Sequence, residues 1–152
     1  MELNIPASLK VEHKLLYEEL SKASEMKDKI GVAAKAVVKV LQPHFMKEEE
    51  YALPPLGLLP IIIKGNVTLE MRDVLKMTDK LKAELPRMLE EHKTIIAELK
   101  NLTDEAKKEK KTKYGRYAEK LILHTQTEEE LYYPTALLIG EYMKKIMGLK
   151  LP

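Results

Sequence analysis

Two stretches of this chain, eighty residues apart, carry the same arrangement of polar residues. HFMKEEEYALPP occupies positions 44–55 and HTQTEEELYYPT occupies positions 124–135. In each, a histidine is followed at the fourth position by the first of three glutamates, and a proline stands ten residues after the histidine. The echo reaches upstream: PASLKVEHKLLYEEL (6–20) matches PRMLEEHKTIIAEL (86–99), with one residue fewer between proline and histidine. His13 and His92 are 79 positions apart; His44 and His124, Glu48 and Glu128, and Pro54 and Pro134 are each 80 apart. Four offsets that agree within one residue point to an internal duplication, with repeat halves at about 6–54 and 86–134.

Around these phrases the apolar residues recur with helical period. Leu9, His13, Leu16, Leu20 and Ala23 step by three and four, as do Ile30, Ala33, Val37, Leu41, His44, Glu48 and Tyr51. The second half repeats this in Leu85, Met88, His92, Ile95, Leu99 and Leu102, then in Tyr117, Leu121, His124, Glu128 and Leu131. Such stripes belong to long helices packed side by side, and no run alternates with period two for long enough to argue for a sheet. The expected fold is all-α: an up-down four-helix bundle with an extra connecting helix and a short C-terminal helix, in one domain over 1–152.

The linker and extra helix take up about 55–85. A connection rich in proline and glycine leads into TLEMRDVLKMTDKLKAEL (68–85), a helix expected to end before Pro86, which suits the first turn of the third bundle helix. Ser8 or Asn4 is placed to cap the first helix, and Thr103 or Asp104 the fourth. Pro43 should kink the second helix or displace a backbone bond, and the C-terminal helix should cover roughly 135–147.

Composition removes several classes of function. Charged residues are 33% of the chain but nearly cancel to +2, so nothing demands a polyanionic partner. The one lysine cluster, KKEKKTK (107–113), reads as a solvated helix start or connection rather than a nucleic-acid contact. Without cysteine there is no disulfide framework, no thiolate metal site and no cysteine nucleophile. MELNIPASLKVEHK lacks the basic flank and apolar run of a signal peptide, and LPPLGLLPIII (53–63) is too short and too broken by proline to span a bilayer. A soluble, cytoplasmic protein is expected, with this apolar segment covering one end of the bundle.

All four histidines of the chain fall in the apolar seams, together with Glu48 and Glu128. A histidine four residues before a glutamate puts both side chains on one helix face. An ionised carboxylate in a bundle interior is costly unless a cation or several donors meet it. Two such carboxylates and four imidazoles, brought face to face, meet that cost by binding metal. Six nitrogen and oxygen ligands exceed what a closed tetrahedral zinc site needs, and imidazole with carboxylate suits iron. Glu49, Glu50, Glu129 and Glu130 read as a solvated helix face. Tyr17, one turn after His13, is expected to point toward the centre.

His13, then HFMKE (44–48), then EEHK with His92, then HTQTE (124–128), resembles the hemerythrin family, and more narrowly the hemerythrin-like HHE cation-binding domains. The resemblance covers about residues 6–147 and implies an up-down bundle around a non-haem di-iron centre. It implies that His13, His44, His92 and His124 are terminal ligands and that Glu48 and Glu128 bridge two iron ions, with an oxo or hydroxo bridge between them. That set supplies about ten of the roughly twelve bonds of two octahedral irons, leaving positions for a small exogenous ligand.

The chain departs from the oxygen carriers of the family at two places. Where those have a second histidine on the third helix, this chain has Met88 and Ile96 around His92. Where they have an aspartate five residues after the last histidine, it has Glu128 at four and Glu129 at five. Four histidines and two glutamates are closer to the bacterial proteins that repair iron centres after nitrosative stress. The expected function is to bind or sense dioxygen, nitric oxide or iron. The alternative is an enzyme for nitric oxide or peroxide reduction or for iron-centre repair.

Overall fold

The computed structural model describes residues 3–148. In chain order its helices are α1 (Ala7–Ser24), α2 (Lys29–Lys47), α3 (Leu59–Ile63), α4 (Val74–Lys108), α5 (Thr112–Thr127) and α6 (Tyr133–Ile146). No strand occurs among the described residues. Helices α1, α2, α4 and α5 form the four-helix bundle, with α2 against α1 and α4, and α5 against α4 and α1. No helix among the described residues is long and apolar enough to cross a membrane.

The turn between α1 and α2 shows how tightly the bundle is closed. Asp28 caps α2 by accepting a hydrogen bond from the Gly31 N–H at 3.1 Å. A Cβ on Gly31 would lie 1.8 Å from the Met26 carbonyl oxygen, so only glycine fits there. The sequence-based caps fall elsewhere. Pro6 occupies the N-cap of α1, with no side-chain cap bond, and Thr103 and Asp104 lie inside α4, which runs on to Lys108. The lysine cluster at 107–113 is the exposed connection from α4 to α5.

Pro86 does not separate two helices. The expected extra helix and the third bundle helix are one 35-residue helix, α4, with Pro86 inside it. Interior proline costs a helix about 3 kcal/mol or more. Burial on both sides of it opposes that cost: Val74, Leu75 and Leu81 before Pro86, and Met88, Ile95, Leu99 and Leu102 after it, are all buried. Pro43 likewise lies inside α2. The C-terminal helix starts at Tyr133, two residues earlier than expected, and follows α5 directly through a widened turn. Its Gly140 presses on α4, where a Cβ would stand 2.4 Å from Thr78 Oγ1.

Two apolar clusters fill the bundle. One is built from Leu16, Leu20, Ile30, Val37, Leu41, Ile95, Leu99 and Leu121 with their neighbours. The other joins Leu9, Tyr51, Leu53, Met71, Leu81, Met88, Tyr133 and Ile139 at the opposite end. The connecting segment covers that end as expected: Pro54, Pro55, Leu56 and Leu58 are buried, and Ile61 and Ile62 pack against the cluster. Leu131, assigned to a seam by its spacing, is instead exposed, whereas its counterpart Tyr51 is buried. The difference is cover: Tyr51 lies under α4, with its hydroxyl 3.5 Å from Met88 Sδ and Lys80 over its ring.

Candidate metal centre

Between the two clusters lies one polar layer. Each bundle helix brings it a histidine: His13 from α1, His44 from α2, His92 from α4 and His124 from α5. Glu48 and Glu128 hold the first positions of the five-residue π-helical turns (48–52 and 128–132) that end α2 and α5. All six side chains singled out in the sequence meet here, and both glutamates are 0% exposed. The four-residue spacing does what it should. His44 Nε2 lies 2.8 Å from Glu48 Oε1, and His124 Nε2 lies 3.4 Å from Glu128 Oε2.

The histidines form two pairs. His44 and His92 approach Nε2 to Nε2 at 2.9 Å, with Glu128 Oε1 3.3 Å from His92 Nε2. On the other side the His13 and His124 rings stand 5.1 Å apart between centroids. There His13 Nε2 faces Glu128 Oε2 at 3.7 Å and Glu48 Oε2 at 3.9 Å. Each carboxylate therefore turns one oxygen to each histidine pair. His44, Glu48, His92 and Glu128 form one set whose ligating atoms lie close enough to hold an ion, and His13, His124 and Glu128 form another.

The outward nitrogens of the same rings explain the glutamates next to the motif. His44 Nδ1 lies 2.9 Å from Glu91 Oε1, His92 Nδ1 lies 2.9 Å from Glu129 Oε1, and His124 Nδ1 lies 2.6 Å from Glu12 Oε1. His13 Nδ1 faces Glu49 Oε1 at 3.6 Å, beyond hydrogen-bond distance. The pattern follows the duplication: the glutamate before His13 serves His124, and the glutamate before His92 serves His44. Glu49 and Glu129 are exposed, as expected of the solvated face, and also turn an oxygen back toward His13 and His92. Glu50 and Glu130 do lie on the surface, beside Lys80 and Gln126.

These contacts set the tautomer that three of the rings adopt when neutral. An ionised carboxylate only accepts, so at His44, His92 and His124 the Nδ1 atoms donate, and in the neutral rings the Nε2 atoms carry lone pairs. Burial raises the Glu91 carboxyl, but Lys47 and His44 beside it more than offset this and leave it below the ordinary carboxylate range. Burial lowers His44, yet Glu48 and Glu91 against its two nitrogens outweigh burial and leave it raised. Burial, with His44 next to it, holds His92 below its ordinary value, and burial does the same to His124.

The interior atoms are left without partners. Both oxygens of Glu48 and of Glu128, both His13 nitrogens and His124 Nε2 are buried with no hydrogen bond. His44 and His92 Nε2 stand 2.9 Å apart, and with both rings neutral and Nδ1 protonated neither has a proton to give the other. Uncompensated buried carboxylates cost several kcal/mol each, and His44 beside Glu48 offsets that cost only in part. A cation in each set would satisfy the carboxylate oxygens and the inward Nε2 atoms, leaving only His13 Nδ1, which faces Glu49, so the donor set fits metal.

One residue here was not foreseen. Tyr133 is buried, with its Oη 3.3 Å from His44 Nε2 and 3.2 Å from His92 Nε2 and its ring 5.7 Å from that of His92. Burial first, and then the Glu48 carboxylate, push its phenol well above the ordinary value. In a regular helix residue 133 would point about 140° away from residue 128. The widened turn brings it round: Tyr133 N–H donates to the Glu128 carbonyl five residues back, as Leu53 N–H does to Glu48 at 2.9 Å. Pro134 and Pro54 follow at once. Each lacks an N–H, and its ring crowds the carbonyl four residues back, which the extra residue moves aside. Tyr17, expected at the centre, instead forms the wall of a surface cavity of about 280 Å³ that ends on His13 and Phe45. A larger cavity, about 520 Å³ around Lys22, Tyr114 and Tyr117, has Glu19 as its one acidic side chain and no histidine.

The sequence model of the hemerythrin family, described as the hemerythrin HHE cation binding domain, matches residues 4–136 of the chain. Neither the curated proteins nor the solved structures contain a match to it.

Proposed function

This chain belongs to the hemerythrin family as an HHE cation-binding domain, and from that premise we propose that it is a cytoplasmic non-haem di-iron protein. In this reading it binds or senses a small ligand, dioxygen or nitric oxide, or iron itself. His13, His44, His92 and His124 are the terminal ligands, and Glu48 and Glu128 span the two ions. The observation that supports it most is the buried pair of carboxylates, each with an oxygen turned to both histidine pairs and neither with a hydrogen-bond partner. Donors of nitrogen and oxygen without sulfur, in excess of a tetrahedral set, favour iron over zinc. Bound there, a pair of iron ions supplies redox chemistry and open coordination positions.

The protein supplies the rest. Glu12, Glu91 and Glu129 keep the Nε2 atoms free for ligation by accepting the outward N–H groups. Phe45 stacks on His13 with ring centroids 4.0 Å apart and holds it edge-on to the centre. The surface cavity rimmed by Lys10 and Lys14 reaches the His13 ring, and in this reading it is the side from which a small ligand approaches. The same opening favours a second reading, an enzyme for nitric oxide or peroxide reduction or iron-centre repair. Absorption spectra of the iron-loaded protein before and after each gas, and after peroxide, separate the two. A stable spectral change at stoichiometric ligand marks a binder, continuous consumption marks an enzyme, and no response to any of them refutes both.

Two outcomes follow for the ligand shell. Glu91→Ala is expected to weaken metal binding about 10–100-fold, because it frees the His44 ring to turn and to protonate the wrong nitrogen. Competition against a chelator measures it; Glu90→Ala, on the exposed face, should bind as the wild type does. Acid is expected to release the metal, since ligation needs neutral imidazoles and ionised carboxylates. Release should start as the pH drops through the ordinary histidine value of about 6.5, and should steepen as ligands protonate together. Metal content across a pH series with chelator present reports this, and full retention near pH 4 contradicts ligation by histidine.

A further inference from the structure

We propose that the Tyr133 phenol oxygen is a further protein donor to the ion held by His44 and His92, and that it makes the two metal positions unequal. This rests on the metal-centre reading above and deepens it. The three atoms form a triangle with edges of 2.9, 3.2 and 3.3 Å. Donors at right angles around an ion with bonds of about 2.1 Å stand about 3 Å apart, so this triangle is the size of one face of a coordination shell. A hydrogen bond to histidine explains it less well. With both imidazoles neutral, as ligation requires, both Nε2 atoms are acceptors once Nδ1 is committed to Glu91 and Glu129. One phenol proton serves only one of them and leaves the other lone pair facing oxygen. A cation at the centre of the face satisfies all three.

The duplication makes the asymmetry plain. Tyr133 corresponds to Leu53 in the first half, which has no donor and is buried in the apolar cluster. The position at His44 and His92 thus has five protein residues around it: the two histidines, Glu48, Glu128 and Tyr133. The position at His13 and His124 has four, adding only Glu128 and Glu48. The surface cavity also ends on His13. A small ligand is therefore taken at the His13 and His124 position, while Tyr133 closes the other. Coordination exchanges the phenol proton for the ion and releases that proton to solvent, so charge and atoms balance without a further reactant.

The test uses ferric iron as the probe. Wild-type protein loaded with it should show an intense visible band from phenolate-to-ferric charge transfer, with resonance-enhanced tyrosinate vibrations. Tyr133→Phe should lose both while its iron content and helical signal are kept, and Tyr51→Phe should retain both. Shifts of those vibrations on ring-deuterated tyrosine identify a tyrosinate in the wild type even if the variant folds poorly. Full iron without the band, or a band that survives Tyr133→Phe, overturns the assignment and leaves the metal centre standing. A wild type that takes up no iron overturns the centre and this inference with it.

Discussion

Glu128→Ala is expected to empty the centre of both ions rather than one. Its two oxygens face different histidine pairs, Oε1 toward His92 and Oε2 toward His13 and His124, so its loss removes a donor from each set and the link between them. Glu48→Ala should act in the same direction, since Glu48 turns Oε1 to His44 and Oε2 to His13. Elemental analysis of gel-filtered protein, with circular dichroism to establish folding, measures the effect. The controls are Glu50→Ala and Glu130→Ala, whose side chains are exposed. Glu49 and Glu129 are unsuitable as controls because they face His13 and His92. Metal content unchanged in both Glu48 and Glu128 variants would defeat the ligand assignment.

Without metal the ranking of stabilities should invert. Glu128→Met is expected to melt above the wild type when both are metal-free, and below it when the wild type is loaded. A carboxylate with 0% exposure and no partner destabilises the empty protein. Exchanging buried ionic groups for apolar ones of similar volume is typically neutral or stabilising by about 1–4 kcal/mol. In a domain of this size each kcal/mol moves the melting temperature by about 2–4 °C. Loading acts oppositely, because a ligand at a thousand times its dissociation constant adds about 4 kcal/mol.

Glu128 is the better choice than Glu48, which has a partial partner in His44. The His44 value is raised, so that pairing is fully present below the ordinary histidine range and is lost as the pH rises through the folded value. His92 and His124 are lowered, so charging them as the pH falls below their unfolded value of about 6.5 costs stability. The metal-free comparison belongs near pH 8, above the ordinary histidine range, where the lowered His92 and His124 are uncharged. A metal-free Glu128→Met protein that melts well below the metal-free wild type would show that the carboxylate is satisfied without a cation.

What could be read from the chain followed helical period and burial. The seams placed His13, His44, His92 and His124 inside the bundle because a helix repeats its face every three or four residues whatever surrounds it. Glu48 and Glu128 stood out because a carboxylate in such a seam needs a cation. The expectations that failed depended on packing between elements or on a change of helical register. Pro86 ends an isolated helix, but apolar faces buried on both sides of it keep α4 continuous. Glu49 and Glu129 are exposed as expected, but their contacts to histidines form only across an interface and could not be read from their own helices. Tyr133, not Tyr17, reaches the centre because counting by 3.6 residues fails across a widened turn. The prolines ten residues after each histidine were the available sign of that turn.

Two ions are expected in this buried layer, and anomalous diffraction from crystals of the iron-loaded protein would locate them. Two peaks about 3.5–4 Å apart are expected. One should lie among His44, His92, Glu48 and Glu128, and the other among His13, His124, Glu48 and Glu128. A single peak in that layer, or an empty layer with iron only at surface carboxylates, would contradict the two-ion centre.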